Sequence, residues 1–137
     1  MTRADQNAET VRRLVDEVWN AGDPARLDAF LTPDFEDEAY SPPNAQGHKA
    51  MVATLRDVVP DARWTIERLT AGGDAVVCEL RLTGTHQGAF RGIAPQGFPI
   101  DVRAYRTFLF VNGRIRRHAA LLDTAGLLRQ MAGAGAP

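Results

Sequence analysis

The chain has 137 residues, of which 45% are apolar and 24% charged, and its formal net charge is −1. This length and composition are typical of one globular domain, so we expect a single domain over residues 1–137. The balanced charge and the lack of a Lys/Arg run argue against nucleic acid and anionic membranes as partners. No stretch approaches about 18 consecutive apolar residues, so we expect no membrane span.

Cysteine content and the N-terminal segment bear on the compartment. Cys78 is the only cysteine, which excludes an intrachain disulfide and a cysteine-based metal site. Residues Met1 to Glu9 are polar and lack the apolar core of a signal peptide. Both observations favour a cytoplasmic protein.

Helical patterns occupy the first sixty residues. Apolar residues at helical spacing predict an amphipathic helix that ends at Gly22: Val11, Leu14, Val15, Val18 and Trp19. Asp23 and Pro24 predict the start of a second, short helix, which Pro33 ends. A third helix should begin at Gly47 and end before Pro60, with Met51, Val52 and Leu55 on its apolar face.

After Pro60 the apolar period changes to two, which predicts strands. They should run from Trp64 to a turn at Gly72, from Val76 to Thr83, from Ile100 to Phe110, and from Arg114 to Leu122. Asn112-Gly113 is typical of a hairpin turn between the last two strands. A short helix from Thr124 to Met131 closes the domain, and the tail from Gly133 to Pro137 should be loose. Helices first and antiparallel strands afterwards predict an α+β fold with helices on one face of a curved sheet.

Four stretches of the sequence resemble the SnoaL-like polyketide cyclase and hydroxylase branch of the nuclear transport factor 2-like superfamily. They are residues 18–23 (VWNAGD), 83–88 (TGTHQG), 92–97 (GIAPQG) and 113–118 (GRIRRH), the last continuing through Asp123 to the segment GLLRQ at 126–130. The resemblance implies a cone-shaped antiparallel sheet that encloses, with the N-terminal helices, a pocket for a small hydrophobic molecule. It also implies a homodimer formed through the outer face of the sheet.

Arg106 is the first candidate for chemistry. It falls in register with an otherwise apolar face of the long strand, and a buried guanidinium there needs an acid or a ligand oxygen. One interpretation is a pocket cation that binds a carbonyl or enolate oxygen of the substrate. The other is an arginine that reaches solvent at the sheet edge.

His118 is the second candidate. A three-residue hairpin loop with a bulge at Gly113 would place it opposite Arg106, facing the pocket, whereas a two-residue turn would put the two on opposite faces. There it would serve as a general acid or base near pH 7, or as a structural histidine. The resemblance favours the pocket. In the family's aldol cyclases an aspartate acts two residues further on, where this sequence has Ala120, and Arg106 replaces a partner histidine.

Acidic residues precede Tyr40. Strand alternation puts Phe35 and Asp37 on one side and Glu36 and Glu38 on the other. The resemblance implies a pocket carboxylate about here. Asp37 is therefore our first choice for it, as a third catalytic residue, and Glu38 the second; the alternative is a solvated acidic loop.

Other residues are assigned more simply. Substrate contacts are expected from Glu38, His86, Phe90, Ile93, Tyr40 and Phe108, although His86 also suits a role in organising its loop. Asp123 is expected to cap a helix, Trp19 to lie in the core and His48 to be exposed. The three histidines lack ligand spacing and no Gly-rich phosphate loop follows a strand, so we predict no metal and no nucleotide cofactor.

The resemblance, together with these residues, favours a small tailoring enzyme acting on a hydrophobic polycyclic aromatic polyketide without a cofactor. Hydroxylation through the substrate's own enolate or hydroquinone anion is slightly preferred to aldol cyclisation, because Ala120 replaces the family acid. Two alternatives stay open. One is an epoxide hydrolase or isomerase that uses Asp37, and the other is a non-catalytic dimer that binds a small molecule.

Overall fold

The structure, a computed structural model, describes residues 1–133. Its elements, in chain order, are α1 (Arg3–Leu14), β1 (Leu31–Asp37), α2 (Ala45–Val58), β2 (Arg63–Gly72), β3 (Ala75–Thr85), β4 (Pro99–Val111), β5 (Arg114–Leu122) and α3 (Thr124–Met131). A π-helical segment, Val15–Asn20, continues α1, and a 3-10 helix, Pro24–Phe30, leads into β1. Apart from Gly133, the tail expected to be loose lies outside the described residues.

The five strands form one curved, unclosed sheet in the order β1-β5-β4-β3-β2. Strands β2 to β5 pair antiparallel with their neighbours, and β1 joins β5 in parallel. The predicted α+β class is confirmed, and the parallel edge strand is an addition to it. Within the described residues, no helix has the length and apolarity needed to cross a membrane.

Strand β1 begins where the sequence had predicted a helix end. Pro33 does not stop a helix, because the 3-10 helix already ends at Phe30 and Pro33 lies inside β1. An edge strand tolerates proline, since one side of its backbone has no partner strand. Alternation along β1 is as predicted: Phe35 and Asp37 are buried and Glu36 is exposed.

The hairpin between β4 and β5 sets which residues of β5 face inward. Its turn contains only Asn112 and Gly113, because Val111 pairs with Arg114. One extra residue, Arg116, then enters β5, so the register shifts and His118 pairs with Phe108. The predicted three-residue loop, and the pairing of His118 with Arg106, are therefore wrong. The bulge nevertheless brings both side chains to the same face of the sheet.

The end of the first helical segment is tied to β2. The Asn20 side chain donates from Nδ2 to the Trp64 carbonyl at 3.0 Å and accepts from the Trp64 amide at 2.7 Å. Arg56 of α2 donates to the backbone carbonyls of Trp19 and Asn20 at 3.1 and 2.9 Å, which satisfies helix-end acceptors. Trp19 and Trp64 are thereby held close together, with ring centroids 5.5 Å apart.

Candidate active site

Arg106 lies on the inner face of β4, as its register predicted. Side chains alternate strictly between buried and exposed along this strand, and Arg106 is only 3% exposed. Its guanidinium carbon lies 4.4 Å from the ring centroid of Trp19 and 4.7 Å from that of Trp64. The two indoles therefore hold the cation through their π faces, an interaction that strengthens when water is excluded.

The hydrogen bonds of Arg106 within the described residues all come from one terminal nitrogen. Nη1 donates to the Tyr40 hydroxyl at 2.8 Å and to Nε2 of His118 at 3.2 Å. Nε is buried and has no partner there. A guanidinium can only donate, so Nε2 of His118 must be the unprotonated ring nitrogen and its proton must be on Nδ1.

Asp37 stands behind His118 and completes the charge balance of Arg106. Its Oδ1 accepts from His118 Nδ1 at 3.0 Å and from the Ala39 amide at 2.9 Å, and its Oδ2 accepts from His48 Nδ1 at 2.8 Å. Asp37 is therefore not a direct partner of Arg106. The ring of His118 separates the two charges and is hydrogen-bonded to both.

His48 is part of this network, although the sequence analysis expected it to be exposed. It is 1% exposed, and its Nε2 accepts from the Trp19 indole N–H at 2.8 Å. A sequence signal for its burial existed, because His48 precedes Met51 and Val52 by three and four residues and so shares the apolar face of α2. We call Asp37, His48 and His118 the buried triad.

The pKa values of the buried triad follow from burial and from these contacts. Burial lowers the pKa of His118 to about 4, and the neighbouring Arg106 cation adds to the effect, against the opposing hydrogen bond to Asp37. Burial also lowers the pKa of His48. Burial alone would raise the pKa of Asp37, but the hydrogen bonds from His118 and His48 outweigh it and the pKa is lowered. At neutral pH the triad therefore holds one carboxylate and two neutral imidazoles.

The buried triad also has the composition of a metal site, with three ligand atoms within 4.8 Å of one another. The groups around it do not suit a metal. A metal on the Nδ1 atoms would leave protons on the Nε2 atoms, and a ligating histidine usually donates that proton to an acceptor. Here both Nε2 atoms face donors, the Trp19 indole and the Arg106 guanidinium. The existing hydrogen bonds instead match the neutral tautomers.

A cavity of about 450 Å³ lies on the other side of Arg106. Residues 39–41, α2, α3, the loop at 90–91 and the inner face of β2 to β5 enclose it. Most of its wall is apolar, and its charged residues are Arg106 and Arg91. Among the described residues no carboxylate and no imidazole lines this cavity, which is of the usual size for a small-molecule site.

Some of the predicted site residues line the cavity, others belong to the buried triad, and the rest do neither. Tyr40, Phe90 and Arg106 line the cavity. Asp37 and His118 lie in the buried triad, behind Arg106, so the prediction that His118 faces the cavity directly is wrong. Its lowered pKa also argues against titration near pH 7.

Four predicted substrate contacts do not line the cavity. Glu38, which directly follows β1, is exposed and pairs with Arg117 at 3.5 Å. Phe108 is buried beside His118, with ring centroids 5.0 Å apart. Ile93 pairs with Phe90 across a tight turn. His86 is fully buried, and its backbone bonds to Phe98 and Gly97 fix the loop, as its second interpretation proposed.

Comparison with known proteins identifies the family. The model of the SnoaL-like polyketide cyclase family matches residues 9–131. The chain belongs to this family. A comparison with curated proteins found no match.

Solved structures share the whole SnoaL-like fold with this chain. A proposed SnoaL-like polyketide cyclase from Jannaschia sp. CCS1 is 29% identical, with a TM-score of 0.85 over 96% of this chain and 95% of that one. A proposed polyketide cyclase from Acidithiobacillus ferrooxidans is 27% identical, with a TM-score of 0.83 over 98% and 100%. AclR, a proposed hydroxylase from Streptomyces galilaeus, has the same fold at 20% identity, with a TM-score of 0.83 over 98% and 99%.

Proposed function

We propose that this SnoaL-like protein is an enzyme that binds an enolisable, hydrophobic polycyclic polyketide and stabilises its enolate or phenolate oxygen at Arg106. The observation that carries the proposal is a buried guanidinium in the wall of a largely apolar cavity where no described residue supplies a carboxylate. A cation in such surroundings lowers the free energy of a developing oxyanion far more than it would in water.

Tyr40 is the natural second group of this oxyanion site. Its oxygen accepts from Arg106 Nη1, so its own O–H is free to donate to a ligand oxygen in the cavity that both residues line. The indoles of Trp19 and Trp64 keep the guanidinium in place, so that little reorganisation is needed when charge develops on the substrate.

Hydroxylation is preferred to aldol cyclisation because the cavity wall offers no acid or base of the kind that ring closure needs. Ala120, at the position of the family acid, lines the cavity directly opposite Arg106. A substrate such as a hydroquinone loses its proton readily once its anion is stabilised. That anion can then transfer electrons to O₂: four electrons reduce O₂ to one new ring hydroxyl and one water, while the ring C–H becomes C–OH and the hydroquinone becomes a quinone.

The two alternatives receive less support. An epoxide hydrolase needs a carboxylate that can reach the substrate, but both oxygens of Asp37 are occupied within the buried triad. A purely structural binding module would be favoured by a pocket that its own aromatic side chains fill, whereas about 450 Å³ of this cavity is open.

Anthrone, an enolisable tricyclic ketone, tests the proposed function. The wild-type protein should lower the pH at which anthrone ionises, detected by the visible absorbance of its anion, and should speed its conversion to anthraquinone. That reaction takes up one O₂ per CH₂ converted to C=O and releases one water. Arg106→Gln should slow it about a hundredfold, as the loss of an oxyanion donor does in other enzymes.

The matched control is Arg68→Gln, because Arg68 is an exposed arginine on β2 that does not line the cavity. It should behave like the wild type. Equal anthrone ionisation and oxygen uptake by the wild type and Arg106→Gln would rule out the oxyanion role. Ring closure of an open-chain β-diketone without oxygen uptake would favour the cyclase alternative.

We further propose that the protein forms a homodimer through the outer face of the sheet. Adjacent apolar side chains on this face are about half exposed in the single chain: Val77, Tyr105, Leu109 and Val111, with Leu121 more exposed still. Such a strip on the central strands suits an isologous interface. Light scattering should give twice the chain mass of 15.0 kDa, and Leu109→Glu should shift it towards the monomer. A wild-type monomer at micromolar concentration would contradict the proposal.

A further inference from the structure

A second arginine lines the same cavity as Arg106. Arg91 is exposed and forms no salt bridge with another described residue. Its guanidinium lies over the ring of its own neighbour, Phe90, at 5.3 Å from the centroid. Because no described carboxylate lines the cavity, both of its cations are available to a ligand.

Arg91 occupies a backbone position that arginine rarely adopts. Phe90 and Ile93 exchange backbone hydrogen bonds of 3.1 and 2.9 Å, which leaves Arg91 and Gly92 as the two central residues of a tight turn. Their φ angles are 48° and 80°. Turns with positive φ at both central positions favour Asn, Asp or Gly at the first of them, because a longer side chain is strained there.

The same chain contains this turn a second time, with the favoured residue. Asn112 and Gly113, between β4 and β5, have φ angles of 50° and 81°, and neither lines the cavity. The two turns therefore have the same backbone conformation, but only the first presents an arginine side chain to the cavity. Residues held in strained backbone conformations are often found at binding sites. The strained arginine beside the cavity therefore points to a binding role.

We propose that Arg91 is a specificity-determining residue that binds a carboxylate of the substrate at the open side of the cavity. The proposal rests on the proposed function, in which Arg106 holds the enolate oxygen at the inner side. The planar fork of a guanidinium matches a carboxylate with two parallel hydrogen bonds. The substrate is then an enolisable polycyclic acid rather than its ester, and the enzyme acts before any step that esterifies or removes that carboxyl group.

A pair of probes that differ in one group tests this assignment: an anthrone that bears a ring carboxylate, and its methyl ester. Wild-type protein should bind the acid about fivefold more tightly than the ester, the size expected for a solvent-accessible ion pair. Arg91→Asn should bring this ratio close to one, and Arg91→Lys should retain part of it. Dissociation constants are measured by fluorescence or absorbance titration at low and high salt, since screening should reduce the wild-type ratio.

Stability separates this role from a structural one. Arg91→Asn transplants the residue of the second turn, so it should raise the melting temperature by a few degrees while it removes the preference for the acid. Asn112→Arg is the matched control: it should lower the melting temperature and leave both dissociation constants unchanged.

The outcomes distinguish the two proposals. An acid-to-ester ratio that is the same in wild type and Arg91→Asn overturns the carboxylate site, even if Arg106→Gln weakens both probes. If Arg106→Gln leaves the affinities for both probes unchanged, the proposed function fails. If the wild type binds neither probe, both proposals are overturned.

Discussion

Arg106 separates two regions that use polar groups in opposite ways. Behind it, the buried triad satisfies nearly all of its own donors and acceptors and excludes ligands. In front of it, the cavity wall is mostly apolar and presents cations and hydroxyl groups to whatever enters. The acids and imidazoles that would ordinarily be chosen as catalysts are therefore on the closed side.

This difference indicates that the two regions have separate roles, one in stabilising Arg106 and the other in binding. The buried triad supplies the negative charge that allows a guanidinium to be buried, and it does so through a neutral imidazole. Because His118 separates Asp37 from Arg106, the carboxylate does not fill the space in which an anionic substrate would bind. The cation is stabilised for folding and still available for binding.

The largest expected effect comes from removing the carboxylate of the buried triad. Asp37→Ala removes the acceptor of two imidazole N–H groups and, among residues 1–133, the only buried carboxylate near Arg106. The free energy of unfolding, measured by urea denaturation, should fall by about 3–5 kcal/mol, the usual cost of leaving a buried charge unpaired.

Asp34→Ala is the control on the same strand. Asp34 is exposed and pairs with Arg116 at 3.1 Å, so its loss should be far less damaging. Equal losses from the two variants would show that Asp37 does not balance the charge of Arg106.

The second effect is a loss of stability in acid. In the unfolded chain His118 takes up a proton near its ordinary pKa of 6.5, whereas in the folded protein its pKa is about 4. Protons therefore favour unfolding as the pH falls from about 6.5 to 4, and His118 accounts for a loss of about 3 kcal/mol over that range. The lowered pKa of Asp37 extends the loss below pH 4.

Urea denaturation at several pH values measures this dependence. His118→Gln should unfold more easily at pH 7 but should lose less stability than the wild type between pH 6.5 and 4. A wild-type protein that is equally stable at pH 7 and pH 4.5 would contradict the assignment of a neutral, buried His118.

The smallest of the three effects comes from adding a carboxylate to the open side. Ala120 pairs with Arg106 across the strands, so the Cβ atoms should be about 5 Å apart and the carboxylate of Ala120→Asp can reach the guanidinium. It should weaken binding of the anthrone anion about tenfold by occupying the cation. Ala120→Asn, which adds similar bulk without charge, should weaken binding less. Tighter binding to Ala120→Asp than to Ala120→Asn would contradict this account.

Much of the fold could be predicted from the sequence because the spacing of apolar residues and the capping and turn residues reflect local structure. The alternation of apolar residues along β4 predicted that Arg106 lies on the inner face, where the structure has it. Asp123 caps α3 as expected, accepting from the Gly126 amide at 2.9 Å. The sequence also indicated the alternation of Asp37 and Glu38 correctly. Each of these features depends on neighbours within a few residues.

The rest depends on contacts between distant segments. Asp37, His48 and His118 come from β1, α2 and β5, and spacing rules for metal ligands or catalytic groups do not detect such a cluster. The bulge in β5 is likewise visible only in the contacts between strands. Arg116 and Arg117 are consecutive, and both pair with acids of β1, which strict alternation would not allow for neighbouring residues.

That bulge determines what the last strand contributes to each side of the sheet. If the same residues between Gly113 and His118 paired regularly, without the bulge, the downstream half of β5 would turn over. His118 would then pair with Thr107, so its imidazole would leave the triad for the outer surface, and Leu121 would move from that surface to the cavity. Counting inward positions by strict alternation from Gly113 would thus exchange the lining of the cavity with the proposed dimer surface. When SnoaL-like relatives are compared, the residues of this strand should therefore be matched by their pairing with β4 and not by their distance from the hairpin turn.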